Sequence, residues 1–342
     1  MWMLTTRDLR YRAVRFLVVT IGTALVFTLL FLMTGLVEQF NREPYLTVES
    51  ISEASWTVPE GTSGPFTSSS TLRPDQVETL GGEPLLIARG TIEIDGVAGE
   101  GIVAGYQAGG LVSPPLVDGR RPTGALEAMV DVSTGLEVGD SFLLGGAGFA
   151  VVGTTDDTTL LAGQPMVFVL LEDARQVMFG GAEVTMTVLS ETAPPAVEGT
   201  TVLAADKVAE DALGPLENAI SSVDLIRVLL WVVAGIIIGA AVYLSALERQ
   251  RDFAVMLAVG GKARQLASSL AIQAVFVAVM AVALAAVIQA LVVPVFPLKV
   301  RVPARALWQI PLVAVAVSLL AASAAMRRVR KTDPAAAFGG PA

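Results

Sequence analysis

The sequence predicts an α+β membrane protein, with four transmembrane helices and one large α+β domain between the first and second helices. The first observation is composition: of the 342 residues 53% are hydrophobic and the mean hydropathy is +0.65, which is too apolar for an ordinary soluble protein. The second is length, because four apolar runs reach the roughly 20 helical residues needed to cross a membrane. We expect these spans at residues 16–37, 228–247, 266–293 and 307–326.

The third observation is the distribution of charge. Between Glu38 and Asp224 there are 28 acidic and 7 basic residues, a net charge of −21, whereas the rest of the chain carries +12. Lys and Arg are enriched on the cytoplasmic side of membrane proteins. An even number of spans puts twelve flanking basic residues on one side, whereas the short loop between the third and fourth spans places Lys299, Arg301 and Arg305 on the other. We therefore expect both termini in the cytoplasm and the acidic block outside it. Arg far outnumbers Lys and Ala is abundant, as in proteins of GC-rich bacteria, so we expect the membrane to be a bacterial inner membrane.

Each segment between or beside the spans then has an expected place. Residues 1–15 predict either a short amphipathic helix on the cytoplasmic membrane surface or an ordinary positively charged flank. Residues 38–226 are expected to form the extracytoplasmic domain. The remaining segments are a cytoplasmic loop at 248–265, an external loop at 294–306 and a cytoplasmic tail at 327–342.

Inside the predicted domain, short alternating segments with turn residues indicate strands. Asp95-Gly96 is a hairpin turn signal. The glycine-rich loop 145–148 lacks G-x-G-x-x-G spacing and opens no helix, so a tight turn is favoured over a phosphate-binding loop. The other expected elements are a strand pair at 47–51 and 55–58, helices at 74–80 and 172–179, and a helix at 208–223 that runs into the second span.

Composition also limits the chemistry. The chain has no histidine and no cysteine, which excludes a histidine-dependent catalytic triad and argues against a zinc or haem site. The carboxylate pairs Asp156-Asp157 and Glu172-Asp173 fit an acidic surface better than a catalytic site, and Lys207 has no motif around it that indicates a Ser-Lys dyad. No P-loop sequence is present, so the chain is not itself a P-loop ATPase.

The spans carry signals for helix packing and none for ion transport. No charged residue lies in the middle of a span, which argues against a proton-coupled transporter or an ion channel. Gly235 and Gly239 form a G-x-x-x-G motif that permits close helix packing, within one chain or between two copies. Gln273 and Gln289 either pair across helices or line a pathway. Alanines recur at helical spacing in the third span, at Ala271, Ala274, Ala278, Ala281 and Ala285.

A family signature follows the second span. Residues 246–261 read ALERQRDFAVMLAVGG, which closely resembles the cytoplasmic loop of FtsX/MacB-type (type VII) ABC transporter permeases. The tail, RKTDPAAA at 330–337 with Asp333 and Pro334, is similar to the closing motif of that family. Residues 115–122, 135–140 and 149–153 resemble the core of a MacB-type periplasmic domain, and the first 45 residues resemble short DevC-like permeases.

The loop also makes physical sense without the family. A charged turn precedes a short apolar helix that Gly260 and Gly261 stop. This helix is too short to span the membrane, and it offers an apolar surface to a partner; the alternative is that its arginines only anchor the span. The expected ATPase-coupling residues are Glu248, Arg249, Arg251, Asp252, Phe253, Val255, Met256, Gly260 and Gly261.

The resemblance implies a non-catalytic membrane subunit of an ATP-driven type VII ABC transporter. Two copies of the chain would pair with an ABC ATPase dimer, which binds ATP and Mg²⁺, so no cofactor is expected in this chain. ATPase motion would be transmitted to the outer domain, for export or mechanotransmission. The alternative is an FtsX-like scaffold that controls an extracytoplasmic cell-wall hydrolase. Membrane lipids and an extracytoplasmic adaptor or substrate are further expected partners, and nucleic acid is not.

Overall fold

The computed structural model describes residues 13–248, 263–296 and 298–330. The chain divides into two compact units. One is an α/β unit of residues 39–220, and the other is a helical unit formed by the sequence before and after it. Most of the predicted N-terminal helix, the cytoplasmic loop and the tail lie outside the described residues.

The described residues contain seven α-helices. Four of them have the length and the apolar composition needed to cross a membrane. The helices are α1 (Ala13–Ile51), α2 (Pro74–Leu80), α3 (Leu171–Phe179), α4 (Ala205–Leu213), α5 (Glu217–Glu248), α6 (Ala263–Val292) and α7 (Ala306–Arg330).

Helix α1 is longer than the membrane requires. Its 39 residues correspond to about 58 Å at 1.5 Å per residue, about twice the hydrocarbon thickness. The helix continues through Pro44 to Ile51, so the strand expected at residues 47–51 is wrong. Its partner segment does form a strand, Ser55–Pro59.

The prediction of one continuous helix at 208–223 is also wrong, because the structure has two helices with a break between them. Helix α4 ends at Leu213, a 3₁₀ turn occupies Gly214–Leu216, and α5 starts at Glu217. Pro215 explains the break, because proline has no N–H to donate to the preceding turn.

Eleven strands form a mixed sheet within the described residues. The spatial order is β11-β1-β10-β2-β3-β9-β5-β7-β4, with β6 on β2 and β7, and β8 on β9. The pairs β3–β9 and β5–β7 are parallel and the others antiparallel. The strands are β1 (Ser55–Pro59), β2 (Glu83–Ile94), β3 (Val97–Tyr106), β4 (Asp118–Gly119), β5 (Glu127–Asp131), β6 (Ser141–Leu144), β7 (Ala147–Thr155), β8 (Thr159–Leu160), β9 (Gln164–Leu170), β10 (Thr187–Ser190) and β11 (Thr200–Leu203).

Both tight turns expected from the sequence are confirmed. Asp95 and Gly96 join β2 to β3 with φ angles of +50° and +78°, and Gly145 and Gly146 join β6 to β7 with +56° and +86°. Positive φ at both central residues is the type I′ geometry that matches the twist of a hairpin. The glycine-rich loop is therefore a tight turn.

Alternate residues of a strand point to opposite faces of the sheet. In this sheet both sets of residues are largely apolar, so each face carries a core. One face carries a core built on residues such as Leu85, Ile102 and Phe168, and α1 and α4 pack there. The other face carries a second core that includes Leu86 and Val167, together with α3. We call these the first core and the second core.

Candidate functional site

The end of α1 is buried in the first core of the α/β unit. Val48 is fully buried and Ile51 is 1% exposed, and both pack in the same cluster as Trp56 and Leu85. The apolar side chains thus fix the last turns of α1 to the sheet.

Two polar contacts add to this anchor. The Thr47 hydroxyl donates a 2.6 Å hydrogen bond to the carbonyl oxygen of Thr159. The Glu43 carboxylate accepts a 2.9 Å hydrogen bond from the backbone N–H of Gly163. Both partners belong to the β8–β9 hairpin, so one hairpin holds two successive turns of α1.

Helix α4, which precedes the second long helix in sequence, packs into the same core. Val208, Ala209 and Ala212 are at most 1% exposed and belong to the cluster that contains Val48 and Ile51. The two segments through which the chain enters and leaves the α/β unit therefore share one core.

Asp211 on α4 also holds a long loop. Its carboxylate accepts hydrogen bonds from the Ser63 hydroxyl at 2.6 Å and from the backbone N–H groups of Phe66 and Thr67 at 3.0 and 3.2 Å. A Cβ added to Gly64 would lie 2.5 Å from an Asp211 oxygen. Glycine at position 64 therefore permits the loop to approach this carboxylate.

In the helical unit, the G-x-x-x-G motif of α5 faces α7 of the same chain. A Cβ on Gly235 would lie 3.1 Å from Val317 Cγ1, and one on Gly239 would lie 3.5 Å from the Ala321 Cβ. The absence of side chains at these two positions lets α5 and α7 approach closely.

Helix α6 contacts its neighbours through small and polar side chains. The Gln273 amide donates to the Ser245 hydroxyl of α5 at 3.1 Å, and both side chains are buried. Gln273 therefore pairs across helices. Four of the predicted alanines are fully buried in the core of the helical unit: Ala274, Ala278, Ala281 and Ala285.

The segment between α6 and α7 contacts the part of α1 that belongs to the helical unit. Arg305 forms a salt bridge with Glu38. A Cβ on Gly35 would lie 2.5 Å from Val300 Cγ1, so only glycine fits this contact without a shift. These contacts connect α1 to the α6–α7 segment.

Most predicted coupling residues cannot be placed. Glu248 is the last residue of α5. The others lie outside the described residues, namely Arg249, Arg251, Asp252, Phe253, Val255, Met256, Gly260 and Gly261, and so do Asp333 and Pro334 of the tail.

The candidate catalytic groups of the α/β unit are engaged separately. Lys207 Nζ lies 2.7 Å from Glu210, and this hydrogen bond raises the pKa of Lys207 above its ordinary value, which opposes a role as general base. Glu172 pairs with Arg175, and Asp173 accepts a hydrogen bond from the Leu126 N–H. Among the described residues no group of three acidic side chains is placed to hold a metal ion.

Glu43 and Asp211 were not singled out from the sequence. For Glu43 a signal exists, since an isolated carboxylate at helical spacing from buried apolar residues indicates a buried contact. For Asp211 there is no local signal, because its partner Phe66 is 145 residues away in the chain.

Comparison with known proteins gives matches at three levels. A sequence profile described as FtsX-like permease C-terminal matches residues 225–334. An uncharacterized ABC transporter permease of Mycobacterium tuberculosis is 35% identical over 345 residues, with 98% of each chain covered. A second from that species is 33% identical over 343 residues, again with 98% of each covered. The extracellular domain of the noncanonic ABC-type transporter YknZ from Gram-positive bacteria gives a TM-score of 0.30 at 14% identity, covering 48% of this chain and 92% of that one.

Proposed function

This chain belongs to the FtsX-like family of ABC transporter permeases, and on that premise we propose how it works. It is a non-catalytic multi-pass subunit that transmits the ATP-driven motion of a separate ATPase dimer to the α/β unit, outside the cytoplasm. The observation that carries the proposal is the first core, into which α1 and α4 both pack. A displacement of either helix then acts directly on the centre of the sheet and not on a flexible linker.

The continuity of α1 supports the same proposal. No loop interrupts the helix between Ala13 and Ile51, and backbone hydrogen bonds within a helix resist axial compression better than an irregular segment does. The contacts of Thr47 and Glu43 with the β8–β9 hairpin prevent the end of α1 from sliding past the sheet.

The proposed orientation places the α/β unit outside the cytoplasm of a bacterial inner membrane, with both termini inside. The excess of basic residues beside the spans supports it. Lys299, Arg301 and Arg305 of the external loop count against it, and the twelve basic residues beside the other span ends outnumber them.

The proposed ATPase contact is the cytoplasmic segment 248–261, with Phe253, Val255 and Met256 as its apolar surface. Arg249 and Arg251 would pair with acidic groups of the ATPase or with lipid phosphates, and the tail with Asp333 and Pro334 would lie on the same side. ATP and Mg²⁺ bind to the ATPase in this scheme.

We further propose that two copies of this chain form a homodimer in the working complex. The contacts of Gly235 and Gly239 with α7 of the same chain support assigning these glycines to packing within one chain. Other helix faces carry exposed apolar residues, such as Leu25 and Leu29 of α1. In this proposal these faces contact lipid or a second copy of the chain.

The experiment that tests the function combines copurification with ATP turnover. Phe253→Ala is expected to reduce both ATPase copurification and the ATP turnover of the complex. The matched control is Phe276→Ala, because Phe276 on α6 is 42% exposed and lies outside the proposed contact. Equal copurification and turnover for wild type and Phe253→Ala would overturn the coupling assignment.

A further inference from the structure

A cleft of about 530 Å³ lies on the α/β unit beside the loop that Asp211 holds. This volume falls in the range of about 300–1,000 Å³ typical of small-molecule sites. Its apolar lining includes Phe66, Ile87, Leu161, Met178, Phe179 and Met186.

The lining is suited to a flexible apolar ligand. Two methionines contribute, and unbranched methionine side chains adapt to irregular apolar shapes. Phe179 remains 37% exposed although it is a large aromatic residue. An acyl chain in the cleft would cover this surface.

Part of the lining is polar, and it includes one positively charged side chain. Arg89 lines the cleft together with Ser68, Ser69 and Thr71. In the described part of the chain no acidic side chain forms a salt bridge with Arg89. Other basic residues of the acidic block between Glu38 and Asp224, such as Arg73 and Arg120, form salt bridges with groups outside the cleft. The Arg89 guanidinium is therefore not neutralised by a carboxylate, although the block carries a net charge of −21.

The wall formed by residues 65–67 has a fixed shape. Asp211 accepts two backbone N–H groups and two hydroxyl groups from this loop. Phe66 also packs on Trp56 of the first core, with ring centroids 6.3 Å apart. The cleft is therefore preformed, which reduces the entropic cost of binding.

We propose that this cleft binds a long-chain fatty acid, with the acyl chain against the methionine and phenylalanine side chains and the carboxylate on Arg89. In this proposal the hydroxyl groups of Ser68, Ser69 and Thr71, which also line the cleft, donate to the same carboxylate. Binding here requires neither the ATPase nor nucleotide, so the proposal is independent of the function proposed above.

The test uses the full chain in phosphatidylcholine nanodiscs, without ATPase or nucleotide, and a palmitate analogue that carries a photoreactive diazirine. Mass spectrometry is expected to find cross-links in residues 65–71 and 178–186. Labelling of the spans by probe dissolved in the bilayer serves as an internal reference. Palmitate should compete at the cleft, and its neutral methyl ester should compete at least about tenfold less well, because it lacks the hydrogen bonds between a charged carboxylate and Arg89.

Variants test the two halves of the site. Arg89→Ala should reduce cleft labelling about tenfold, Arg89→Lys should retain most of it, and Arg73→Ala, outside the cleft, should leave it unchanged. Shortening the competitor should weaken it by about fourfold per buried methylene. Ser69→Trp, at an exposed position, should block the cleft without disturbing either core.

Three results would each overturn the proposal. They are labels confined to the spans, equal competition by palmitate and its methyl ester, and unchanged cleft labelling in Arg89→Ala. A melting curve of each variant establishes that its domain is folded, so a loss of labelling cannot be assigned to unfolding. Because the ATPase is absent, none of these outcomes bears on the coupling of Phe253.

Discussion

Thr47 on α1 donates its hydroxyl to the carbonyl oxygen of Thr159 at 2.6 Å, and this bond joins the end of a membrane-spanning helix to the sheet. Thr47 is fully buried and Thr159 is 5% exposed. Water therefore cannot replace the bond when the hydroxyl is removed. The pair is a specific point at which the anchoring of α1 can be weakened without a change in side-chain volume.

Thr47→Val is expected to destabilise the α/β unit by about 1–3 kcal/mol, the cost of leaving a buried acceptor unsatisfied. For a domain of this size each kcal/mol lowers the melting temperature by about 2–4 °C. Differential scanning fluorimetry of the full chain measures the shift. Thr79→Val is the control, because the exposed Thr79 hydroxyl also donates to a carbonyl oxygen, that of Asp75. Equal shifts in the two variants would show that the Thr47 contact has no special role.

Gly235→Leu is expected to separate α5 from α7, because a Cβ at this position already lies 3.1 Å from Val317. The helical unit should melt at a lower temperature, while the proportion of dimer stays the same. Gly22→Leu on α1 is the control, since nothing lies within 4 Å of a Cβ there. If Gly235→Leu dissociated a dimer without lowering the melting temperature, the motif would act between chains.

The Ser245–Gln273 pair should contribute measurably to the packing of α5 on α6. A double-mutant cycle with Ser245→Ala and Gln273→Ala is expected to give a coupling free energy of about 0.6–1.7 kcal/mol, the range for hydrogen bonds between membrane helices. Unfolding of the reconstituted chain supplies the four free energies. Strict additivity of the two substitutions would contradict the observed bond.

Acid should weaken one contact of the α/β unit in a defined pH range. A hydrogen bond from Arg120, together with the N–H groups of Thr123 and Gly124, lowers the pKa of Glu127 from its ordinary value of 4.5 to about 2. A lowered pKa means that the ionised form stabilises the folded state above pH 4.5, and that this contribution disappears as the pH falls towards about 2. The difference in melting temperature between wild type and Glu127→Gln should be constant above pH 4.5 and shrink below it. A difference independent of pH over this range would refute the assignment.

The end of α1 illustrates why part of the fold was predicted wrongly. Thr47, Val48 and Ile51 are β-branched, a residue type enriched in strands, and Pro44 disfavours helix in the residue before it. The buried positions Phe40, Thr47, Val48 and Ile51 instead follow helical spacing. The helical period was present in the sequence, and the packing of this face in the first core outweighs the loss of one hydrogen bond at proline.

The features of the candidate sites are also of two kinds: those that the local sequence predicts and those that only the fold reveals. Short-range features such as the Gly145-Gly146 turn and the α2 helix ended by Gly81 follow from local backbone preferences. The Asp211 contact with Phe66, and the convergence of Arg89 with Met178, depend on strand order. Sequence spacing does not encode such contacts locally, so only the fold reveals them.

The most direct test of the proposed transmission is the distance between the two α/β units of a dimer. The sequence contains no cysteine, so a spin label on Val97→Cys, a hairpin position that is 72% exposed, reports one inter-subunit distance by pulsed electron paramagnetic resonance. In the complex with its ATPase, trapping ATP should shift the distance distribution, and Phe253→Ala should abolish the shift. Identical distributions with and without ATP, in a complex that hydrolyses ATP normally, would contradict the account.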